Sequence, residues 1–458
     1  MGQSTQHIAS FDRAYFIGIG GIGMSALARY FNMKGWDVAG YDKTPSPITK
    51  ALEEEGVSIH FEDLGEGLPE QFLDTEKTLV VFTPAIPKDM KELVFVQSGD
   101  YTVKKRAEVL GMITRDSKAL GVAGTHGKTT TSTMLAHILN ESDEGCNAFL
   151  GGIAANFNSN FVSHPTSEWT VVEADEFDRS FLQLTPFASI VTSTDADHLD
   201  IYGDNKEFLE GFKSYIDLIN PNGFTVLHKD IELKAQNEIR YGLNADVDFS
   251  GSNLRVEKGA FLMDVKTPDA NWDAVELGIP GTHNAENALS CIALGSQLGL
   301  SEGLLRSALK SFKGVKRRFE YHIRTEEQVY IDDYAHHPTE INALLDSVEL
   351  MYPNNNVIGI FQPHLFSRTR DFFDGFASAL SRLDEVVLLP IYPARELPIE
   401  GITSEALVDK INSLSKSVLS PLEAVEYVSN CNHDIILTIG AGDIDRIVLP
   451  LKDRLENE

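Results

Sequence analysis

The chain predicts an α/β protein of three domains: an N-terminal Rossmann-like domain, a central mostly parallel sheet of the P-loop type, and a C-terminal Rossmann-like domain. Three observations carry that prediction. Two glycine-rich turns, at 18–23 and 121–129, each follow an apolar run and open a helical pattern. Short apolar runs then alternate with amphipathic stretches along the rest of the chain, as βα units of a parallel sheet require. A length of 458 residues accommodates about three domains.

The first segment, 1–114, reads strand, turn, helix, strand. Ala14, Tyr15, Phe16 and Ile17 form a short apolar strand, and 24–31 has a helical pattern. Between them Gly18, Gly20 and Gly23 satisfy G-x-G-x-x-G, with Gly21 inside the turn. The strand 36–41 leads to Asp42, at about the right distance onward to meet a ribose. A later strand, 79–82, ends at Thr83. Glycines at a helix start present backbone N–H groups and the positive end of the helix dipole. A dinucleotide cofactor or any other nucleotide diphosphate seats equally well there.

The second segment, 115–315, carries Gly124, Thr125, His126, Gly127, Lys128, Thr129 and Thr130 just before a helical run, 132–139. Lys128 adds a mobile cation, and the Thr129 hydroxyl can hold Mg²⁺, so this turn suits a nucleoside triphosphate. The general pattern G-x-x-x-x-G-K-[ST] wants glycine at 122, where this chain has Val122. Strands are expected at 169–172, 189–192 and 223–227, with hairpins over 246–277 at the edge of the sheet. Glu173 ends the first of these strands, where side chains face the ligand crevice. It suits a metal ligand or a water positioner, whereas Asp175 and Glu176 read more readily as a solvated acidic turn. His198, among Asp195, Asp197 and Asp200, suits either a second metal position or a capping or surface role. Imidazole fits Mn²⁺ better than Mg²⁺. His283, Asn284 and Asn287 share one helix face. The two amides can pair with an adenine edge, the alternative being that Thr282 or Asn284 caps the helix.

In the third segment, 316–458, strands are expected at 329–331, 357–361, 385–389 and 435–439. Tyr334 and His336 follow the first, His364 and Arg368 the second. A guanidinium fork suits a carboxylate or phosphate, which gives Arg368 a ligand role. Arg370 and Asp371 read as an ion pair on a helix surface.

Bulk properties narrow the function. A net charge of −29 disfavours nucleic acid as a partner, although a local site still binds an anionic nucleotide. No apolar run reaches the ~18 residues of a membrane span. The first residues lack the basic-then-apolar pattern of a secretory signal. Cys146, Cys291 and Cys431 are odd in number and far apart, which fits a reducing cytoplasm and argues against a disulfide scaffold or a zinc site.

Taken together, the motifs resemble the Mur ligases, ATP-dependent amide-forming enzymes of peptidoglycan precursor synthesis. The likeness runs nearly end to end. The run Gly124-Thr125-His126-Gly127-Lys128-Thr129-Thr130 is similar to the family's ATP loop, which accounts for Val122. Glu173-Ala174-Asp175-Glu176, Asp197-His198-Leu199-Asp200 and His283-Asn284-Ala285-Glu286-Asn287 follow in the family's order. Gly18-Ile19-Gly20-Gly21-Ile22-Gly23-Met24-Ser25, Asp333-Tyr334-Ala335-His336-His337-Pro338-Thr339-Glu340, Phe361-Gln362-Pro363-His364 and Tyr392-Pro393-Ala394-Arg395-Glu396 resemble the members that join L-alanine to the carboxylate of UDP-N-acetylmuramate. Members that recycle murein peptides onto the same nucleotide sugar are the nearest rival.

The resemblance implies that Gly18, Gly20, Gly21, Gly23, Asp42 and Thr83 hold UDP-N-acetylmuramate rather than NAD. It implies that the loop 124–130 with Asn284 and Asn287 holds ATP, and that Thr129, Glu173 and His198 place Mg²⁺ or Mn²⁺. Lys128, Glu173, His198 and Arg368 would be catalytic, and Tyr334, His336, His364 and Arg368 would meet the amino acid. The family link implies a place in cell-wall biogenesis, and so in cell shape and division. Some members have Arg where this chain has Leu365, so one anchoring cation of the family is absent and more of the load falls to Arg368. Lys213, at the offset of a carbamylated lysine in sister ligases, reads as a surface helix residue.

Overall fold

Three sheets, each ordered so that a crevice opens at the carboxyl ends of its strands, organise the chain. The structure is a computed structural model that describes residues 8–195, 205–394 and 396–457. The first sheet is built from β1 (Arg13–Ile17), β2 (Asp37–Tyr41), β3 (Ser58–His60), β4 (Thr78–Phe82) and β5 (Thr102–Lys105), in the order β3-β2-β1-β4-β5. The pairings of β1, β2, β3, β4 and β5 are all parallel. β1 and β4 are almost wholly buried, as strands covered on both faces must be. Helices α1 (Ile22–Met33), α2 (Pro47–Glu54), α3 (Lys91–Ser98) and α4 (Arg106–Arg115) connect or follow them. α2 starts on a capping box between Ser46 and Thr49 with Pro47 at its first position, which fixes where it begins.

The second sheet runs β15-β14-β13-β12-β11-β10-β6-β9-β7-β8. Its centre is β6 (Lys118–Ala123), flanked by β9 (Trp169–Ala174) and β10 (Pro186–Val191), all parallel. Helix α5 (Lys128–Asn140) leaves the end of β6, and β7 (Asn147–Ala154) with β8 (Ser159–Val162) forms an antiparallel pair at one side. On the other side lie β11 (Thr225–His228), β12 (Glu238–Leu243), β13 (Phe249–Glu257), β14 (Ala260–Lys266) and β15 (Asn271–Leu277), so the last three strands end the sheet as the hairpin reading expected. A single apolar cluster runs from Phe11, Ala14 and Leu27 of the first sheet region to Phe149, Val172 and Phe212 of the second. At its seam the rings of Tyr30, Phe149 and Phe161 stand 5.3–6.0 Å apart. Asn160, fully buried on β8, donates to Ser25 Oγ at 2.9 Å and accepts from Arg29. An amide that fills both roles at a buried seam fixes how β8 lies on α1.

The third sheet contains β16 (Glu320–Arg324), β17 (Val329–Asp333), β18 (Val357–Phe361), β19 (Glu385–Leu388), β20 (Ser415–Val418) and β21 (Ile435–Ile439), in the order β16-β17-β21-β18-β19-β20. Only the β16–β17 pair is antiparallel. Two apolar clusters cover its two faces, one around Ile331, Phe361 and Leu437 and the other around Tyr330, Ile360 and Ile436. By compactness the chain divides into two units, one of residues 1–253, 263–276 and 286–312 and one of 254–262, 277–285 and 313–458. The first sheet and most of the second therefore fall in one unit. Among the described residues, no helix is long and apolar enough to cross a membrane.

Candidate active site

In the first unit the phosphate loop crosses the carboxyl ends of three adjacent strands. Gly124 (φ +134°) follows β6, and Gly127 (φ +79°) caps α5 in the left-handed region, where a side chain would be strained. Thr125 Oγ1 donates to the Asp195 carbonyl at 2.8 Å, and the His126 N–H donates to Ser193 Oγ at 3.0 Å, so the segment after β10 holds the loop from one side. Lys128 Nζ donates to the Gly124 carbonyl at 2.7 Å and to Glu176 Oε1 at 2.8 Å. Glu176 is 1% exposed. The expectation of a solvated turn at Glu176 is thus wrong: a carboxylate cannot be buried there without a cation, and Lys128 supplies it.

Glu173 stands where a strand-end carboxylate was expected. Thr129 Oγ1 lies 3.2 and 3.0 Å from its two oxygens. A Cβ on Gly151 would fall 2.1 Å from Glu173 Oε2, so the bare backbone of β7 leaves room for the carboxylate. Asn287 lies against the same loop, since a Cβ on Gly127 would sit 2.7 Å from its Oδ1. His198 and Arg395 lie outside the described residues. Lys213 is exposed and pairs with Asp217 at 2.6 Å, in keeping with a surface helix position.

The first glycine turn is closed from within. The Gly20 N–H donates to Asp42 Oδ2 at 2.7 Å, and a Cβ on Gly18 would meet Thr83 Cγ2 at 2.7 Å. Gly18, Gly20, Gly21, Gly23, Asp42 and Thr83 thus gather at the ends of β1, β2 and β4. A cavity of about 300 Å³ opens between this turn and the second sheet. Gly21, Gly23 and Thr83 line one side, Phe149, Gly151, Glu173 and Asp175 the other. Arg106, the first residue of α4, is the one cation among the described lining residues. Its guanidinium fills the space where a Cβ on Gly23 would be and lies 3.7 Å from Asp175.

In the second unit four predicted side chains come together. The rings of Tyr334 and His336 are 5.4 Å apart, and those of His336 and His364 are 6.3 Å apart. Arg368 Nη1 is 3.3 Å from His364 Nδ1, and the His364 ring stacks on Tyr392. Burial holds both His336 and His364 below the ordinary imidazole range, and Arg368 pushes both the same way. Behind them Asp333 accepts the Phe319 and Ala335 N–H groups, and burial pushes its carboxyl up to about 6. Arg317 and Arg318 lie over the Tyr334 ring at 5.1 and 5.7 Å. Leu365 (φ +70°) caps the helix Phe366–Asp371, its N–H bonded to the Tyr392 carbonyl. Arg370 and Asp371 pair on the surface as expected. Asn284 is buried and donates to the Pro280 carbonyl at 2.6 Å.

Comparison with known proteins matches this layout. The profile of the Mur ligase family catalytic domain matches residues 13–118, the Mur ligase middle domain 122–295, and the Mur ligase glutamate ligase domain 317–442. The chain belongs to the Mur ligase family. It is 51% identical, over 97% of its length and 98% of the relative's, to a UDP-N-acetylmuramate–L-alanine ligase of Flavobacterium psychrophilum. It is also similar to the crystal structure of a UDP-N-acetylmuramate–alanine ligase from Thermotoga maritima (TM-score 0.81, 29% identity, covering 97% and 98% of the two chains). A murein peptide ligase from Psychrobacter arcticus shares the fold at TM-score 0.69 and 24% identity, covering 97% and 99%.

Sequence reading of this Mur ligase passed over several residues. Arg106 is visible only as a basic residue just beyond a short, half-polar strand, β5. Arg317 and Arg318 read as a boundary rather than as neighbours of Tyr334. Gly151 and Asn160 lie in β7 and β8, strands that the sequence reading did not assign, and only packing gives them a role.

Proposed function

We propose that this Mur ligase joins L-alanine to the carboxylate of UDP-N-acetylmuramate, using ATP and passing through an acyl phosphate, with release of ADP and phosphate. The observation that carries the reading is the cavity with a nucleotide-diphosphate turn at one wall and the Glu173–Thr129 pair at the other. A substrate anchored by its diphosphate on 18–23 extends its acid toward the phosphate loop. The 51% identity to an L-alanine ligase favours this over peptide recycling.

The muramate carboxylate attacks the γ-phosphorus and ADP leaves. The alanine amine then attacks the acyl carbon, and phosphate leaves. Lys128, already aimed across the loop, exchanges Glu176 for phosphate oxygens and stabilises charge on the transferring group. Thr129 and Glu173 form an all-oxygen donor set that fits Mg²⁺, and the family resemblance assigns His198, outside the described residues, to the same ion. When bound there, the ion would neutralise phosphate charge. Gly124, Thr125, His126, Gly127 and Thr130 cradle the triphosphate, and Asn284 and Asn287 meet adenine. Arg106 and the glycine turn hold the anionic part of the nucleotide sugar. Tyr334, His336, His364 and Arg368 bind the amino acid, with Arg368 on its carboxylate and an uncharged imidazole available to take the amine proton. The domains run 1–114, 115–315 and 316–458. Cytoplasmic residence is supported by the free state of Cys146, Cys291 and Cys431.

One assay tests the proposal. Phosphate release from ATP with Mg²⁺ and UDP-N-acetylmuramate is expected to require L-alanine, with glycine, L-serine and a tripeptide poorer. Release that ignores the amino acid, or that prefers the tripeptide, refutes it.

A further inference from the structure

The third sheet carries ligand-type side chains at the edge opposite the amino-acid group. Glu385 is the first residue of β19, and Cys431 and His433 lie in the loop between the helix Pro421–Ser429 and β21. Those are the amino ends of parallel strands, whereas Tyr334 and His364 follow the carboxyl ends. Cys431 Sγ, a Glu385 oxygen and a His433 ring nitrogen all lie within 4.8 Å of one another. His433 Nε2 is 2.9 Å from Glu385 Oε2. His433 Nδ1 is buried without a hydrogen-bond partner. A buried ring nitrogen with no partner is rare, and it leaves Nε2 as the nitrogen that faces Glu385. Tyr427 Oη donates to the other Glu385 oxygen at 2.5 Å, which orients the carboxylate as an outer partner does in a metal site.

We propose that Glu385, Cys431 and His433 form a second metal site, of the Zn²⁺ class, with three protein ligands and a fourth position for water. The donor set decides the ion. Sulfur, nitrogen and oxygen together suit Zn²⁺, while Mg²⁺ wants oxygen alone. Bond lengths of ~2.0–2.3 Å put tetrahedral ligand atoms about 3.3–3.8 Å apart, so the 2.9 Å contact between His433 and Glu385 opens on binding while any wider spacing in the cluster closes. Two of the three ligands sit on a loop, where that movement costs little. The ion takes the place of the thiol proton and joins this loop to β19. A second cluster, Glu320, His322 and Asp332, is not such a site, because Arg317 already occupies Asp332 at 3.1 Å.

Titration of the intact protein with Co²⁺, read by near-ultraviolet absorption, tests the site. One equivalent is expected to give a thiolate-to-cobalt charge-transfer band that Zn²⁺ bleaches and Cys431→Ser abolishes. The other two thiols, Cys146 and Cys291, are fully buried, and the oxygen donors at Thr129 and Glu173 give no such band. His433→Ala should weaken Co²⁺ at least tenfold, and Cys431→Ser should leave phosphate release unchanged. Alkylation of Cys431 in the unmutated protein supplies a readout free of folding effects, since Zn²⁺ should protect the thiol. No band, a band that survives Cys431→Ser, or no protection by Zn²⁺ overturns the proposal.

Discussion

The two glycine turns of the first unit do the same geometric job with different charge supplies. Each lies at the carboxyl end of a central parallel strand and opens a helix. The loop at 124–130 carries its own cation, Lys128, and parks it on Glu176, forty-eight positions along the chain. The turn at 18–23 carries none. Its carboxylate, Asp42, is spent on the turn's own Gly20 N–H, and its cation arrives from α4 as Arg106, packed into the space above Gly23. A self-sufficient loop is legible as a motif. A loop completed by a neighbour is legible only in part.

The sharpest way to break this comparison is to remove each cation. Lys128→Ala is expected to lower turnover by about 10³-fold or more, the scale set by cations that stabilise a transferring phosphoryl group. UDP-N-acetylmuramate binding, measured calorimetrically without ATP, should stay within a factor of two or so, because nothing at the first turn touches Lys128. Loss of that binding would mean the two turns do not serve separate ligands. Arg106→Ala is expected to act the other way round, raising the KM for UDP-N-acetylmuramate by roughly 10–100-fold, the worth of one to two charged hydrogen bonds. ATP affinity should hold. An unchanged KM, with only stability lowered, would reduce Arg106 to a partner of Asp175.

The same contrast explains what could be read from the chain. Central strands such as β1, β4, β18 and β21 are near-continuous apolar runs because they are covered on both faces, so all three sheets were visible. Edge strands escaped: β3 is Ser58–His60, β5 contains two lysines and β20 contains two serines, since an edge needs less apolar burial. In the site, residues adjacent along a turn or strand end were found together. Glu176 was misread because a carboxylate in an acidic run looks solvated until its burial partner is known. Arg106, Gly151 and Asn160 act only through packing between distant segments, which no local pattern records.

Smaller effects separate holding from binding. In Glu176→Gln the Lys128 ammonium loses its carboxylate, so the ATP-free protein should melt lower while ATP binds about fivefold tighter, ~1 kcal/mol of competition removed. Weaker ATP binding would mean that Glu176 orients Lys128 toward the phosphates rather than competing with them.

Asp42→Asn should give the smallest change, and it probes the first turn directly. Asparagine keeps an acceptor within reach of the Gly20 N–H and loses only the charge, so the hydrogen bond weakens by about 0.5–1 kcal/mol rather than vanishing. If Asp42 holds the turn from inside, melting temperature and UDP-N-acetylmuramate affinity should fall together and modestly, by about two- to fivefold in affinity. If instead the carboxylate serves mainly a ribose, as in dinucleotide sites, affinity should fall more than tenfold with melting unchanged. Differential scanning fluorimetry beside calorimetry on the one variant distinguishes these outcomes. The 2.7 Å distance to the Gly20 nitrogen favours the first, because a carboxylate oxygen already bound to its own turn has less to give a ligand.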